Sequence, residues 1–447
     1  MRIPKNMRTQ FVRTLAVLAA ASVTSCGSSK TALVVPDPTA PVGLPTPAAP
    51  GPVNTYSGAQ SPGSWILTLN NTSDAFSYQP VTYPATATGG GIQVSAGFSS
   101  LGSAGLVFEV PGQAAVLRPG NSASAPVFAV PQTQCYAITG RLRFQYIPMF
   151  PGPEDSGSPD AAHGAPFLGY GSVVASTDST GKSWQFQNLQ GGTWTSNEGT
   201  SGTFVSGPDS FTGSCNSAGG QAFISLAGDS QLDDLWTPDG AAITATTQSN
   251  AWIGPSGFFV ADQNDTTQAV PTGASVAGVA ESTSPLSTSS VLQGQYLGIL
   301  YEAANTANYG NGAPVTPAFT APVGFGQVVA GTSMTMTGGV FPNDAVTGTP
   351  NSDIQIKLGA QDATLNGLYT SVSITVPDPA QNCANFVPFS LSGIVTSGLD
   401  AHGYPTCTFP GVAIAGNPEG KYAIFVNSYD WAVRYGGAPM QLYLFQQ

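Results

Sequence analysis

The residues of this 447-residue chain that could cut, transfer or ligate are 24 carboxylates, two histidines and five cysteines. Their spacing decides which chemistry is open. Glycoside hydrolysis needs two carboxylates flanking one bond, and the candidates are Asp233/Asp234, Asp262/Asp265, Glu281 and Glu302. Glu302 ends the apolar run that starts at Gly294, where partial desolvation would raise its pKa toward that of a general acid. A carboxylate at a strand end is more commonly just solvated, and that is the reading taken. Asp262-Gln263-Asn264-Asp265 offers oxygen ligands suited to calcium, but the same spacing makes an Asx turn, which is preferred. His163 and His402 lack a C-x-x-C partner, so no metal centre is expected. No cofactor is expected either.

Two motifs carry a nucleophile or a phosphate loop in outline. Ser176 to Ser183 (STDSTGKS) follows a strand pattern, but Ser176 stands where a phosphate loop needs Gly, and Trp184-Gln185-Phe186 continues as strand rather than helix. A turn is the better reading. Gly228-Asp229-Ser230, after the apolar Phe223–Leu226, is similar to the nucleophile block of the GDS-type esterases. That resemblance implies a histidine base in an Asp-x-x-His block. This chain offers Asp400-Ala401-His402, one residue short, and lacks the helical pattern of that fold. A Gly-Asp-Ser turn fits better. Trp184, Trp194, Trp236 and Trp252 could stack on sugars, although tryptophans in β proteins usually fill cores. The catalytic set is therefore read as empty.

Cys26 has a chemistry of its own. Residues 1–13 hold Arg2, Lys5, Arg8 and Arg13 and no acid, and Leu15–Ala21 forms an apolar segment too short to span a bilayer. Val23-Thr24-Ser25-Cys26 then resembles the lipobox of bacterial lipoproteins, with Val at the position where Leu is commoner. The resemblance implies cleavage before Cys26 and acylation of its sulfur. Two or more acyl chains anchor stably, since each buried methylene contributes roughly 0.8 kcal/mol. Gly27 is not the aspartate associated with inner-membrane retention, so the outer membrane or the cell surface is expected. With Cys26 acylated, Cys135, Cys215, Cys383 and Cys407 remain, an even number in an oxidising compartment. Three pairings are possible; Cys135–Cys215 with Cys383–Cys407 is the most economical.

Removal of residues 1–25 leaves eight basic and 24 acidic residues, a charge of −16. Such a surface repels phosphate backbones, which excludes nucleic acid as a partner. Charged residues are 8% of the chain, against roughly 25% in ordinary domains. With 54 glycines and 37 prolines the chain is punctuated too often for long helices.

The elements follow from period-two alternation. Residues 26–53 are Pro/Ala-rich without an apolar period and read as an extended tether. Strand patterns include 65–69, 75–78, 105–110, 125–130, 170–176, 182–188, 193–194, 221–226, 252–253 and 258–260. The clearest is Arg141–Tyr146, with Leu142, Phe144 and Tyr146 on one face and Arg141, Arg143 and Gln145 on a wet one. Residues 148–166 read as an acidic loop, 262–290 as a polar boundary and 303–322 as a loop. Strands resume at 294–301, 333–337, 353–358, 368–376, 412–415, 422–427 and 441–445. The resulting expectation is an all-β chain: a signal peptide (1–25), a lipidated tether (26–53), and two antiparallel β-sandwich or barrel-like domains (54–285 and 286–447). The expected function is a membrane-anchored extracytoplasmic lipoprotein with a non-enzymatic binding, adhesion or envelope-structural role. Its partners would be the membrane, through the lipid, and a glycan or an envelope protein. The alternatives are a β-sandwich hydrolase of polysaccharide and a small-ligand carrier with a barrel cavity.

Overall fold

In the computed structural model, every helix or strand among the described residues is a β-strand. The structure describes residues 44, 53–59, 64–70, 75–78, 81–84, 86–87, 97–100, 105–119, 126–131, 134–148, 167–195, 201–218, 221–227, 248–264, 275–286, 292–302, 319–330, 334–338, 354–377, 395–399, 405–417, 421–430 and 438–447. All lie in the unit Pro38–Gln447. All strand pairings are antiparallel, as short connections between neighbours require.

The first sheet holds β1 (Val53–Ala59), β2 (Ser64–Asn70), β3 (Ala75–Tyr78), β4 (Val81–Pro84), β5 (Thr86–Ala87), β6 (Gly97–Ser100), β7 (Gly105–Val110), β8 (Ala114–Pro119) and β9 (Val127–Val130). Their order is β4-β3-β2-β1-β9-β8-β7-β6-β5, so β9 returns to lie beside β1.

A closed barrel follows: β10 (Leu142–Pro148), β11 (Phe167–Thr177), β12 (Ser183–Thr195), β13 (Ser201–Ala218), β14 (Gln221–Ala227), β15 (Gln248–Ile253), β16 (Phe258–Asn264) and β17 (Ser275–Ala280). Pairing of β17 with β10, Tyr146 opposite Gly278, closes it. Inward positions pack into one cluster that includes Phe144, Val173, Trp184, Phe186, Phe211, Ile224, Ile253 and Phe259, with Leu44, Cys135 and Tyr136 against it. The free wall carries exposed Gln185, Ser210, Thr212, Ser214 and Asn216. Apolar inside and polar outside is the inverse of a membrane-spanning barrel.

The third sheet holds β18 (Gly294–Glu302), β19 (Phe319–Ala330), β20 (Thr335–Gly338), β21 (Ile354–Lys357), β22 (Leu368–Pro377), β23 (Val395–Leu399), β24 (Pro405–Gly416), β25 (Ala423–Asp430) and β26 (Ala438–Gln446). A β22–β24 pairing links its two arms, so eight strands form an unbroken ring with β23 outside it. All-β architecture with barrel-like closure is thus as the alternation required.

Several expectations change. The segments 182–188 and 193–194 are one strand, β12, paired along its length with β11. The stretch 262–290 contains β17, without which the barrel would be open. The loop expected over 303–322 ends early, because β19 begins at Phe319. The wet face of β10 is the largest correction. Arg143 and Gln145 are 4% and 0% exposed, because β24 and β25 cover that wall. An outward position on a barrel is wet only if nothing packs outside it.

Phe128 marks where the three sheets meet. Its ring lies 5.8 Å from Phe258 of β16, 5.2 Å from Phe425 of β25 and 6.0 Å from Tyr443 of β26. Most of these contacts are edge-on or tilted, geometries that stabilise by about 0.5–1.5 kcal/mol beyond burial.

Candidate functional site

Among the described residues no group of His, Cys, Asp and Glu could hold a metal ion. What the fold does concentrate is buried polar groups, in three places.

The first is the barrel lumen. On β10 the inward file runs Leu142, Phe144, Tyr146, and on β12 it runs Trp184, Phe186, Asn188, Gln190. The chemistry therefore turns from aromatic to amide along the axis. Tyr146 Oη donates to Asn188 Oδ1 at 2.8 Å, and Gln190 Nε2 donates to Tyr146 Oη at 3.4 Å. All three are at most 2% exposed. Tyr146 lies flat over its cross-strand partner Gly171, where any Cβ would sit 1.9 Å from the ring. Glycine is required there by space, not by φ.

The second is the seam between the barrel wall and the third sheet. Arg143 Nη1 lies 3.3 Å from Glu281 Oε2, with side chains 3% and 10% exposed. Glu281 Oε1 also accepts the Asn366 backbone N–H at 2.8 Å, which joins the end of the first barrel to the β21–β22 connection. Beside Arg143, both amide atoms of Gln145 and the hydroxyl of its neighbour Ser172 lack a protein partner, as does Oδ1 of Asn427 on β25. Neither the periodicity nor any motif marks this seam. Its only signal is two long polar residues, Arg143 and Gln145, on an otherwise apolar strand.

The third is on the first sheet. Tyr56 Oη donates to Glu109 Oε1 at 2.6 Å, and Asn54 Nδ2 donates to the same oxygen at 2.9 Å. Tyr56 reaches from β1 to β7 over the small row Gly58, Ala129 and Ala115, which the register places between them. Burial, and then the Glu109 carboxylate, push the Tyr56 hydroxyl well above its usual range, against a bond donated by Gly112 N–H. Burial likewise raises Tyr136, Tyr296 and Tyr369.

Alkaline instability follows from the sign of these shifts. The unfolded chain loses tyrosine protons from about pH 10, whereas the folded chain keeps them. The unfolded state then binds fewer protons, so stability is intact below pH 10 and falls as pH rises above it. Tyrosine absorbance at 295 nm and far-ultraviolet circular dichroism should change together above pH 10. Separate ionisation with the fold intact would contradict the burial.

The residues singled out in the sequence are dispersed. Glu281 is taken up by Arg143 and Asn366. Trp184 and Trp252 are 1% and 2% exposed, so these two form no sugar platform. The STDSTGKS segment is a turn: the Asp178 carboxylate accepts from the backbone of Thr180 and Lys182 and from the Thr180 hydroxyl. Against slight desolvation, these bonds hold it below the usual carboxylate range. Cys135 and Cys215 are bonded, with Cα atoms 5.8 Å apart. Asp262, Glu302 and Cys407 lie on strands, but their side chains fall outside the described residues. So do Cys26, His163, Trp236, Asp233, Asp234, Asp265, Cys383, His402, Gly228-Asp229-Ser230 and the side chain of Trp194.

No protein-family model matches the chain, and no curated protein does. Among solved structures it is similar to a variant of transferrin binding protein B from Haemophilus parasuis Hp5, at 10% identity over 90% of this chain and 78% of that one, with a TM-score of 0.22. It is also similar to the isotype 1 transferrin binding protein B from serogroup B Neisseria meningitidis, at 11% identity over the same shares, with a TM-score of 0.23. Similarity at that level carries no argument about function.

Proposed function

We propose that this chain is a lipid-anchored protein of the bacterial cell envelope, at the outer membrane or cell surface, with a non-enzymatic binding role toward an envelope protein or a glycan. The observation that carries the reading is the asymmetry of the barrel connections. In an up-and-down antiparallel barrel alternate connections share an end. Between the strand ends at one rim of the first barrel the chain has 18, 5, 20 and 10 residues (after β10, β12, β14 and β16), and at the other rim 5, 2 and 4 (after β11, β13 and β15). In the third sheet the intervals are 16, 15 and 7 residues after β18, β20 and β25, against 4, 10 and 6 after β19, β21 and β24. Long connections on a rigid closed frame are the usual place for recognition.

Two of the acids, Glu109 and Glu281, are tied into internal hydrogen bonds that position elements. The lipobox-like Val23–Cys26 and the Pro/Ala-rich stretch after it supply a membrane anchor and a spacer. Incubation of the mature chain with a panel of neutral and acidic polysaccharides should release no reducing ends. Turnover that disappears on substitution of Glu302 or of Asp233 and Asp234 would overturn the reading in favour of a hydrolase.

A further inference from the structure

The tier of the first barrel around Asn188 has an unused donor. Two hydrogen bonds there run in the same direction, from Gln190 Nε2 to Tyr146 Oη and from Tyr146 Oη to Asn188 Oδ1. The relay ends on the Asn188 amide nitrogen, which has no acceptor although the residue is 1% exposed. A buried unpaired N–H is costly, and polar groups so placed are normally matched.

Side-chain volume falls away at the same level. The inward file of β11 runs Ala175, Val173, Gly171, Gly169, and that of β12 ends Asn188, Gln190, Gly192, with Gly169 paired to Gly192. Tyr146 occupies the space over Gly171. An eight-stranded barrel is just wide enough either to be filled by its own side chains or to hold one small ligand. Below Tyr146 the first condition holds, since Phe144, Phe186, Phe211 and Phe259 fill the lumen.

We propose that the Tyr146–Asn188–Gln190 tier is a binding site for a small uncharged molecule that has an apolar or aromatic body and one carbonyl or hydroxyl oxygen. The oxygen accepts from Asn188 Nδ2, and the body rests on the ring of Tyr146, which itself stands 6.0 Å from Phe259. No cationic side chain is described in this tier, and the β13 residue in register with Asn188 is an acid, Asp209, so an anionic ligand would lose its hydration without a counter-charge. The site goes beyond the envelope-binding role and stands whether or not Cys26 is acylated.

Three probes of one shape test it on the mature chain by isothermal titration and ligand-observed NMR: acetophenone, with an acceptor; isopropylbenzene, without one; and benzoate, with a charge. Acetophenone should bind saturably at one site, isopropylbenzene about tenfold more weakly, and benzoate not at all. Asn188→Leu should abolish the preference for acetophenone. Tyr146→Phe, which keeps the ring and removes the hydroxyl that orients Asn188, should reduce it, and decides the matter if Asn188→Leu does not fold. Absence of saturable acetophenone binding, equal affinity for isopropylbenzene, binding of benzoate, or an unchanged preference in the folded variants would overturn the site.

Discussion

Removal of the Cys135–Cys215 bond will lower the unfolding free energy by about 4.5 kcal/mol. That figure follows from the entropy of a closed loop of this length in the unfolded chain, the two cysteines being separated by 80 residues. The bond ties the segment ahead of β10 to β13, across β11 and β12. Packing reinforces it: Tyr136 meets Trp184 edge-on at 6.1 Å, and the backbone of Tyr136 lies so close to Gly181 that no Cβ fits between them. Gly181 also has φ +69°, so any other residue there would be strained twice over. Urea denaturation of the Cys135→Ala/Cys215→Ala variant under non-reducing conditions measures the loss. A change below about 1 kcal/mol would mean that the segment is held by side-chain packing alone.

Arg143→Ala will cost about 3–5 kcal/mol, the usual penalty when one partner of a buried ion pair is removed and the other charge stays. Glu281 keeps the bond from the Asn366 N–H, but a neutral amide donor does not replace the lost guanidinium charge. Replacing both groups with apolar ones of similar size, Arg143→Met with Glu281→Leu, should recover most of the loss, since such a pair contributes specificity more than net stability. The comparison of single and double variants by urea midpoint separates these effects. A double variant as unstable as the single one would show that the ion pair itself contributes net stability, beyond the cost of a stranded charge.

The fold was legible where alternation is strong and one-sided. Leu142, Phe144 and Tyr146 gave β10, and Ile354 and Ile356 gave β21, because their polar neighbours break the run into period two. Strand β13, the longest at 18 residues, escaped notice. Its outward Ser210, Thr212, Ser214 and Asn216 are the composition of a loop, and its inward positions include Gly213 beside Phe186. What makes it a strand is the long ladder offered by β12, interrupted by one register shift between Asn188 and Gln190, a tertiary cause absent from local propensity. The same holds for β17, whose Ser-Val-Ala-Gly-Val-Ala is weakly apolar until it closes the barrel against β10.

The polar sites were less legible, for a physical reason. Asn188 and Tyr146 become partners only when barrel closure sets β10 and β12 on either side of β11, and Glu109 meets Tyr56 only across two intervening strands. Glu281 was picked out as a possible acid; its neighbours make it a strut. By contrast, the Cys135–Cys215 pairing was readable because it keeps the bond inside one half of the chain, and the Asp178 turn from its failure to continue as a helix.

Membrane fractionation of the full chain and its Cys26→Ala variant, expressed in a bacterium that processes lipoproteins, tests the anchored-display account most directly. The account predicts that the unaltered chain sediments with the membranes and carries acyl chains on an N-terminal cysteine by intact mass, while the variant is soluble in the periplasm or medium. A variant that still sediments, or an unaltered chain that is unacylated and retains residues 1–25, would contradict it.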